Sequence, residues 1–371
     1  MFLQSVHLRD VLSFRDAKVE LKPLNVLIGA NGSGKSNFLD AISLLPGLTA
    51  DAEAFFRSQG GAGAWISKAS DAGRLPKIAF GFESDRAYEV SFGAVVGPQI
   101  YTERLSKGPS RVPALTRFDM DLGGRGLLAN HFKAESPDYS RSILSYHFPA
   151  RTEWRDWQDA LRGIRTYRLA GLNDIRQGMP IAGSGDKYLS KTGDNLAKII
   201  HDYYQADLLS GIDEAVRRFG ENYRNVKAAI SGQYWELKLA ESGLDGSVSA
   251  GRISDGTLRF LQLLVILRHP DPPPLILIEE PELGLHPDAI GIVAEELLEA
   301  SERTQIVVTT HSPELITALQ HVPDSILVCE KDFDNATSIR RLDKASIRRW
   351  LKVYSSLGET WRSGAIGGNR W

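Results

Sequence analysis

Apolar and polar residues alternate twice near the start of the chain, over Leu3 to Leu8 and over Ala17 to Leu21, before an unbroken run at Leu24-Asn25-Val26-Leu27-Ile28. Alternation marks a half-buried strand, and a short apolar run marks a strand covered on both faces. The pattern predicts an antiparallel pair leading into a central strand. A helix is expected over 37–45, then mostly loop with a short helix over 46–75, where Gly, Ala and Ser accumulate. Lys77 to Phe82 and Tyr88 to Val96 read as a second antiparallel hairpin. Patterning weakens from about 97 to 195. Asn195 then caps a stripe of Leu196, Ile199, Ile200 and Tyr203 at helical spacing, 212–230 reads as a further helical stretch, and Tyr234 to Leu239 returns to strand alternation. Leu275-Ile276-Leu277-Ile278 and Gln305-Ile306-Val307-Val308 are two more buried strands. Ile347, Trp350, Leu351 and Tyr354 form a last helical stripe, with Arg348, Arg349 and Lys352 on its outer face.

Between the first central strand and its helix lies Gly29-Ala30-Asn31-Gly32-Ser33-Gly34-Lys35-Ser36, which fills every fixed position of the phosphate-loop pattern. Glycines let backbone N–H groups turn inward around phosphate oxygens, and the helix amino end adds its positive dipole. The nucleotide-binding set is therefore Gly29, Asn31, Gly32, Ser33, Gly34, Lys35, Ser36 and Asn37, with Lys35 reaching the β- and γ-phosphates and Ser36 holding Mg²⁺. The turn Leu12-Ser13-Phe14-Arg15 could bring Arg15 to the adenine or phosphates, or leave it a solvated turn residue. Downstream, the strand at 275–278 ends in Glu279-Glu280, which places both carboxylates at the rim of a parallel sheet. Glu279 is positioned for the metal shell, and Glu280 to orient or polarise an attacking water. The strand at 305–308 likewise ends near His311, exposed ahead of the cap Ser312-Pro313 and able to bond the γ-phosphate or that water. Ser254-Asp255-Gly256-Thr257 opens another helix and forms a second anion site, which makes sense if it serves another subunit's nucleotide.

The bulk numbers alter this picture little. At 371 residues with a formal net charge of −2, any nucleic-acid surface has to be a local patch. Arg141, Arg151, Arg155, Arg162, Arg165, Arg168 and Arg176 thicken among Trp154, Trp157 and Tyr167, which fits either a nucleic-acid groove or helix faces paired with Glu153, Asp156 and Asp159. Cys329 is the only cysteine, so no intramolecular disulfide forms and a reducing compartment suits the chain. With no apolar run of membrane-spanning length, the chain is expected in the cytoplasm, with no membrane partner.

The phosphate loop, the turn Ser254 to Thr257, the run Ile278 to Pro287 and Thr309-Thr310-His311-Ser312-Pro313 together resemble the ABC-type ATPase heads of the SMC, RecF and OLD-like group. More narrowly, they resemble the stand-alone predicted ATPases of the AAA_21 type, as do Tyr354 to Glu359 and Gly364 to Trp371. The resemblance implies an α/β ATPase head with a mixed sheet, an antiparallel β subdomain and a large α-rich insertion. The head would be split into 1–96 and 231–371 around an insertion or lid at 97–230. It implies ATP and Mg²⁺ as cofactors, with Lys35, Glu280 and His311 catalytic and Ser36 and Glu279 on the metal. Ser254 and Gly256 would contact the nucleotide of a second copy in an ATP-dependent homodimer, and Glu282 to Leu285 would link the two sites. The signature departs from the Ser-Gly-Gly-Gln of transporters, and Glu279 stands for the usual Asp. The family's metal-contacting glutamine falls on Gln59, Gln99 or Gln177. Further partners implied are DNA and a separately encoded nuclease or effector, in DNA repair or phage defence. Too little chain follows His311 for a nuclease domain of its own. A transporter's nucleotide-binding subunit and an ATP sensor with negligible turnover are the competing functions.

Overall fold

The computed structural model describes residues 1–68, 74–94, 98–108, 112–116, 140–146, 148, 152–169, 172–181 and 186–367. Arg151 and the final residues 368–371, both part of the sequence reading, lie outside them.

β1 (Leu3–Val11), β2 (Phe14–Glu20) and β3 (Leu24–Ile28) follow the predicted order. β1 and β2 pair antiparallel with Val6 opposite Val19 and Leu8 opposite Ala17, so their apolar phases share a face. β4 (Lys77–Phe82), β5 (Ala87–Ala94), β6 (Pro98–Lys107) and β7 (Val112–Thr116) extend this into a six-stranded antiparallel sheet of order β2-β1-β4-β5-β6-β7. A three-stranded antiparallel sheet follows from β9 (Tyr223–Ser231), β10 (Tyr234–Glu241) and β11 (Ser247–Ser249).

The central sheet has the order β15-β14-β3-β13-β12-β8, from β8 (Arg165–Arg168), β12 (Leu275–Glu279), β13 (Gln305–Thr310), β14 (Ile326–Lys331) and β15 (Thr337–Arg341). Its strands run parallel except β15. Alternate residues of each central strand enter different cores. Val26, Ile278 and Val308 face the helices Leu196–Gln205, Leu209–Phe219, Asp255–Leu267 and Pro287–Ser301. Leu27, Leu277 and Val307 face the helix Lys35–Ala50 and the large antiparallel sheet. Burial on both faces is why these strands read as continuous apolar runs.

Several expectations are revised. Among the described residues of 97–230, the stretch expected as an α-rich insertion supplies strands to all three sheets alongside its helices: β6 and β7 complete the antiparallel sheet, β8 is an edge of the central sheet, and β9 belongs to the third. The helix expected over 37–45 begins at Lys35 and continues to Ala50 through Pro46, because Leu45, Leu48 and Thr49 stay buried across the proline. The helical stretch read over 212–230 is a helix ending at Phe219 followed by β9, where Val226 pairs with Leu239 and both are buried. Asn195 is not a side-chain cap. Its Oδ1 accepts from Ser190 N–H and its Nδ2 donates to the Tyr188 carbonyl, both at 2.9 Å. The arginine-aromatic run is packed and paired: Trp154, Trp157 and Tyr167 are buried, Arg155 and Arg162 meet Asp159, and Arg165 meets Asp186. Among the described residues no helix is long and apolar enough to cross a membrane.

Candidate nucleotide site

Parallel register brings the ends of four strands to one edge. Glu279 lies beside Thr309 on one side and Arg168 on the other, and Thr310 lies beside Ile28, the residue before the glycine loop. Ligands of α/β sheets bind at such carboxyl ends.

Within the loop, Gly32 and Gly34 have φ of +75° and +103°, which L side chains rarely adopt. A Cβ on Gly34 would sit 2.7 Å from Ser13 Oγ and closer still to Thr337, so the loop is pressed against the turn after β1 and the start of β15. The same wall holds Asn37, whose Nδ2 donates to Ser13 Oγ at 2.9 Å. Asn31 is exposed, and a Cβ on Gly29 would meet the Cys329 carbonyl at 2.6 Å. Ser33 Oγ is buried with no hydrogen-bond partner, an orphaned donor facing nothing that the chain itself supplies. Lys35 is buried, and its Nζ donates to the carbonyls of Gly29 and Ala30 at 2.9 and 3.1 Å. Burial pushes its ammonium below the ordinary lysine value, although Cys329, Glu280, Glu279 and Glu282 pull the other way. A desolvated lysine bonded only to carbonyls is primed for an anion.

At the start of the helix Lys35–Ala50, Ser36 Oγ donates to Glu279 Oε1. Arg168 Nε donates to Glu279 Oε2 at 2.6 Å, and its Nη2 to Asp40 Oδ1 at 2.7 Å. Burial, and then Glu279, raise the Asp40 carboxyl above its usual value against the pull of Arg168. Burial works against the Arg168 charge, but the two carboxylates outweigh it and raise its pKa. One hydroxyl and one carboxylate suit Mg²⁺, which keeps several waters and takes its remaining oxygens from substrate phosphates. Among the described residues no three His, Cys, Asp or Glu side chains gather to hold a metal unaided. The donor set therefore fits a metal shared with a nucleotide.

Glu280, the residue after β12, has φ of +47°, a left-handed conformation. His311 Nε2 lies 3.4 Å from Glu280 Oε1. Behind them Glu282, largely buried, accepts from Thr310 Oγ1 at 2.6 Å and from His311 N–H at 3.0 Å, which ties the loop after β12 to the end of β13.

Lys35, Ser36, Glu279, Glu280 and His311 thus converge. Ser254 and Gly256 do not join them. Ser254 is exposed and caps the helix Asp255–Leu267 by accepting from Thr257 N–H, while a Cβ on Gly256 would lie 2.9 Å from the Gly284 carbonyl. They line a separate groove of about 790 Å³ with Tyr223, Glu241 and His286. Arg15 pairs with Asp334 at 3.1 Å. Of the three glutamines, Gln59 lines a cleft with Asp40 and Arg168, Gln177 is exposed at the end of the helix Leu172–Gln177, and the side chain of Gln99 lies outside the described residues. Sequence reasoning missed Asp40, Thr337 and the placement of Arg168. Asp40 had a signal, since it stands four residues after Ser36 on one helix face. Arg168 had none, because β8 is four residues without an apolar period.

A glycine loop, two acids and a histidine lie at the edge of a central sheet packed beside an antiparallel sheet, and this fold resembles that of SMC head domains. The fold agrees with an SMC head solved with the carboxyl-terminal winged-helix domain of ScpA, at a TM-score of 0.53 and 16% identity over 93% of this chain and 99% of that one. It agrees likewise with an SMC head with an extended coiled coil bound to the carboxyl-terminal domain of ScpA, derived from Pyrococcus furiosus. There the TM-score is 0.54 and the identity 14%, over 95% of this chain and 98% of that one. The chain belongs to the AAA_21 family, described as "AAA domain, putative AbiEii toxin, Type IV TA system", which its residues 24–317 match. It is 30% identical to the Old nuclease of Escherichia phage P2 over 189 residues, 46% of this chain and 31% of that protein. It is 48% identical to the DNA replication and repair protein RecF of Gloeobacter violaceus over 46 residues, 12% of each. It therefore spans less than a third of either curated relative.

Proposed function

We propose that this protein binds ATP with Mg²⁺ at Gly29 to Asn37, closes head to tail on a second copy around two nucleotides, and hydrolyses ATP. The resulting motion would drive a switch on DNA or on a separately encoded effector. The observation that carries the reading is the meeting of Lys35, the Ser36–Glu279 pair and the Glu280–His311 pair at one sheet edge. In this reading Lys35 exchanges its two carbonyl partners for phosphate oxygens, and the orphaned Ser33 hydroxyl gains an acceptor. Ser36 and Glu279 would hold Mg²⁺, which when bound offsets charge on the β- and γ-phosphates. Glu280 accepts a hydrogen bond from the attacking water and orients it in line, and His311 donates to the γ-phosphate or to that water.

Ser254 and Gly256, exposed on their own groove, would meet the partner's nucleotide. Glu282 links that face to His311 through the loop that Gly256 touches. ATP then favours the closed dimer because two copies complete each pocket. Residues 97–230, whose strands enter every sheet, are where we place transmission to a partner. The setting we assign is the cytoplasm, in DNA repair or defence against phage, from the names of the family and of the two relatives.

Light scattering with and without ATP tests this. Glu280→Gln should form an ATP-stabilised dimer and Lys35→Ala should not; equal masses for both variants under both conditions would count against the proposal. Phosphate release by the wild type, with and without duplex DNA, distinguishes turnover from an ATP sensor.

A further inference from the structure

Arg168 belongs to neither the phosphate loop nor the acid motif, yet it closes the metal face. Ser36 engages Oε1 of Glu279 and Arg168 engages Oε2, so both carboxylate oxygens are taken. The other arm of the guanidinium is held by Asp40, one helical turn beyond Ser36 on the same face. The Ser36 hydroxyl and the Arg168 guanidinium therefore occupy both oxygens of Glu279, where a cation would otherwise bind. Two partly buried acids need positive charge between them, and a guanidinium fork supplies it with defined geometry. The pairing is also exchangeable: the Arg168 side chain is 51% exposed, and ion pairs open to water yield readily to a competing ion.

We propose that Arg168 is the resident cation of the metal position. In the nucleotide-free protein it neutralises Glu279, and a divalent ion arriving with nucleotide displaces it, while Asp40 keeps the arginine tethered at the site. This rests on the nucleotide-site reading above. Arg168 and the metal then compete for one carboxylate, so removing the arginine tightens metal binding.

The test is a Mn²⁺ titration followed by electron paramagnetic resonance, at a saturating concentration of a fluorescent, non-hydrolysable ATP analogue whose own binding is read separately. Arg168→Ala should reach half-saturation at about tenfold lower Mn²⁺ than the wild type, the scale of one charge-assisted hydrogen bond discounted for exposure. Arg168→Lys keeps the charge without the fork and should fall between. A half-saturation point for Arg168→Ala equal to or above that of the wild type overturns the proposal. If the wild type binds neither analogue nor Mn²⁺, the nucleotide-site reading fails and this inference with it. If it binds both and only the shift is missing, the role of Arg168 alone is wrong.

Discussion

Glu280 is held at a backbone angle that costs an L residue about 1–2 kcal/mol, and its neighbours fix it there through its N–H bond to the Thr309 carbonyl at 3.0 Å. Glycine would meet no such cost. Glu280→Gly is expected to abolish phosphate release yet to melt at the same or a higher temperature; a lower melting point in a thermal unfolding scan would show that the conformation carries no strain. Glu282 makes a second residue-scale case. Burial raises its carboxyl above the ordinary value of 4.5, with bonds from Thr310 and His311 opposing. A raised carboxyl means that the folded state holds its proton more tightly than the unfolded chain. Its contribution is thus fully present below about pH 4.5 and declines as pH rises through the folded value. Glu282→Gln keeps an acceptor for both bonds and removes that decline. Denaturant melts from pH 4 upward should show the wild type losing stability relative to the variant as pH rises; parallel curves would refute it. The chemistry of Glu280 was legible as charge at a strand end and Glu282 only as part of a linking loop, but neither the backbone strain of Glu280 nor the burial of Glu282 can be read without the fold.

At the level of elements, the glycine loop was legible because its spacing is dictated by phosphate geometry, and the central strands β3, β12 and β13 because burial on both faces leaves little choice of residue, whereas β14 was not read. What escaped was set by distant packing. Pro46 reads as a helix end, but the buried residues on either side carry the helix past it. Residues 223–230 read as helix until Val226 finds Leu239 across a sheet. β8 has no periodicity, and only β12 beside it makes it a strand. The loop-to-helix junction carries a prediction of its own. Gly34→Ala would place a methyl group on Ser13 and Thr337 at a φ that alanine avoids, and either the loop or β15 must move. A stability loss of about 1–3 kcal/mol is expected together with loss of ATP-analogue binding. A variant that binds nucleotide with wild-type affinity in a fluorescence titration would mean that the loop relaxes freely.

At the scale of the whole molecule, the two surfaces proposed to meet nucleotide do not meet within one chain: the phosphate loop sits on the edge of the central sheet, and Ser254 lines a groove that contains none of the loop residues. A twofold dimer would pair each loop with the partner's Ser254, and this has a stoichiometric consequence. Lys35→Ala destroys a loop and leaves a signature turn; Ser254→Arg leaves the loop and blocks the turn at an exposed position, at the cost of a helix cap. Each variant alone should release no phosphate. Mixed in equal amounts and allowed to exchange, half of the dimers combine one of each, and each of those carries one intact site of two. Phosphate release should then recover to about a quarter of wild type if sites fire independently, and to nothing if both must fire together. Activity in Ser254→Arg by itself would show that a single chain completes its own pocket, and the head-to-tail arrangement would have to be abandoned. Because the mixture contains no wild-type chain, any recovery has to come from a site shared between two molecules.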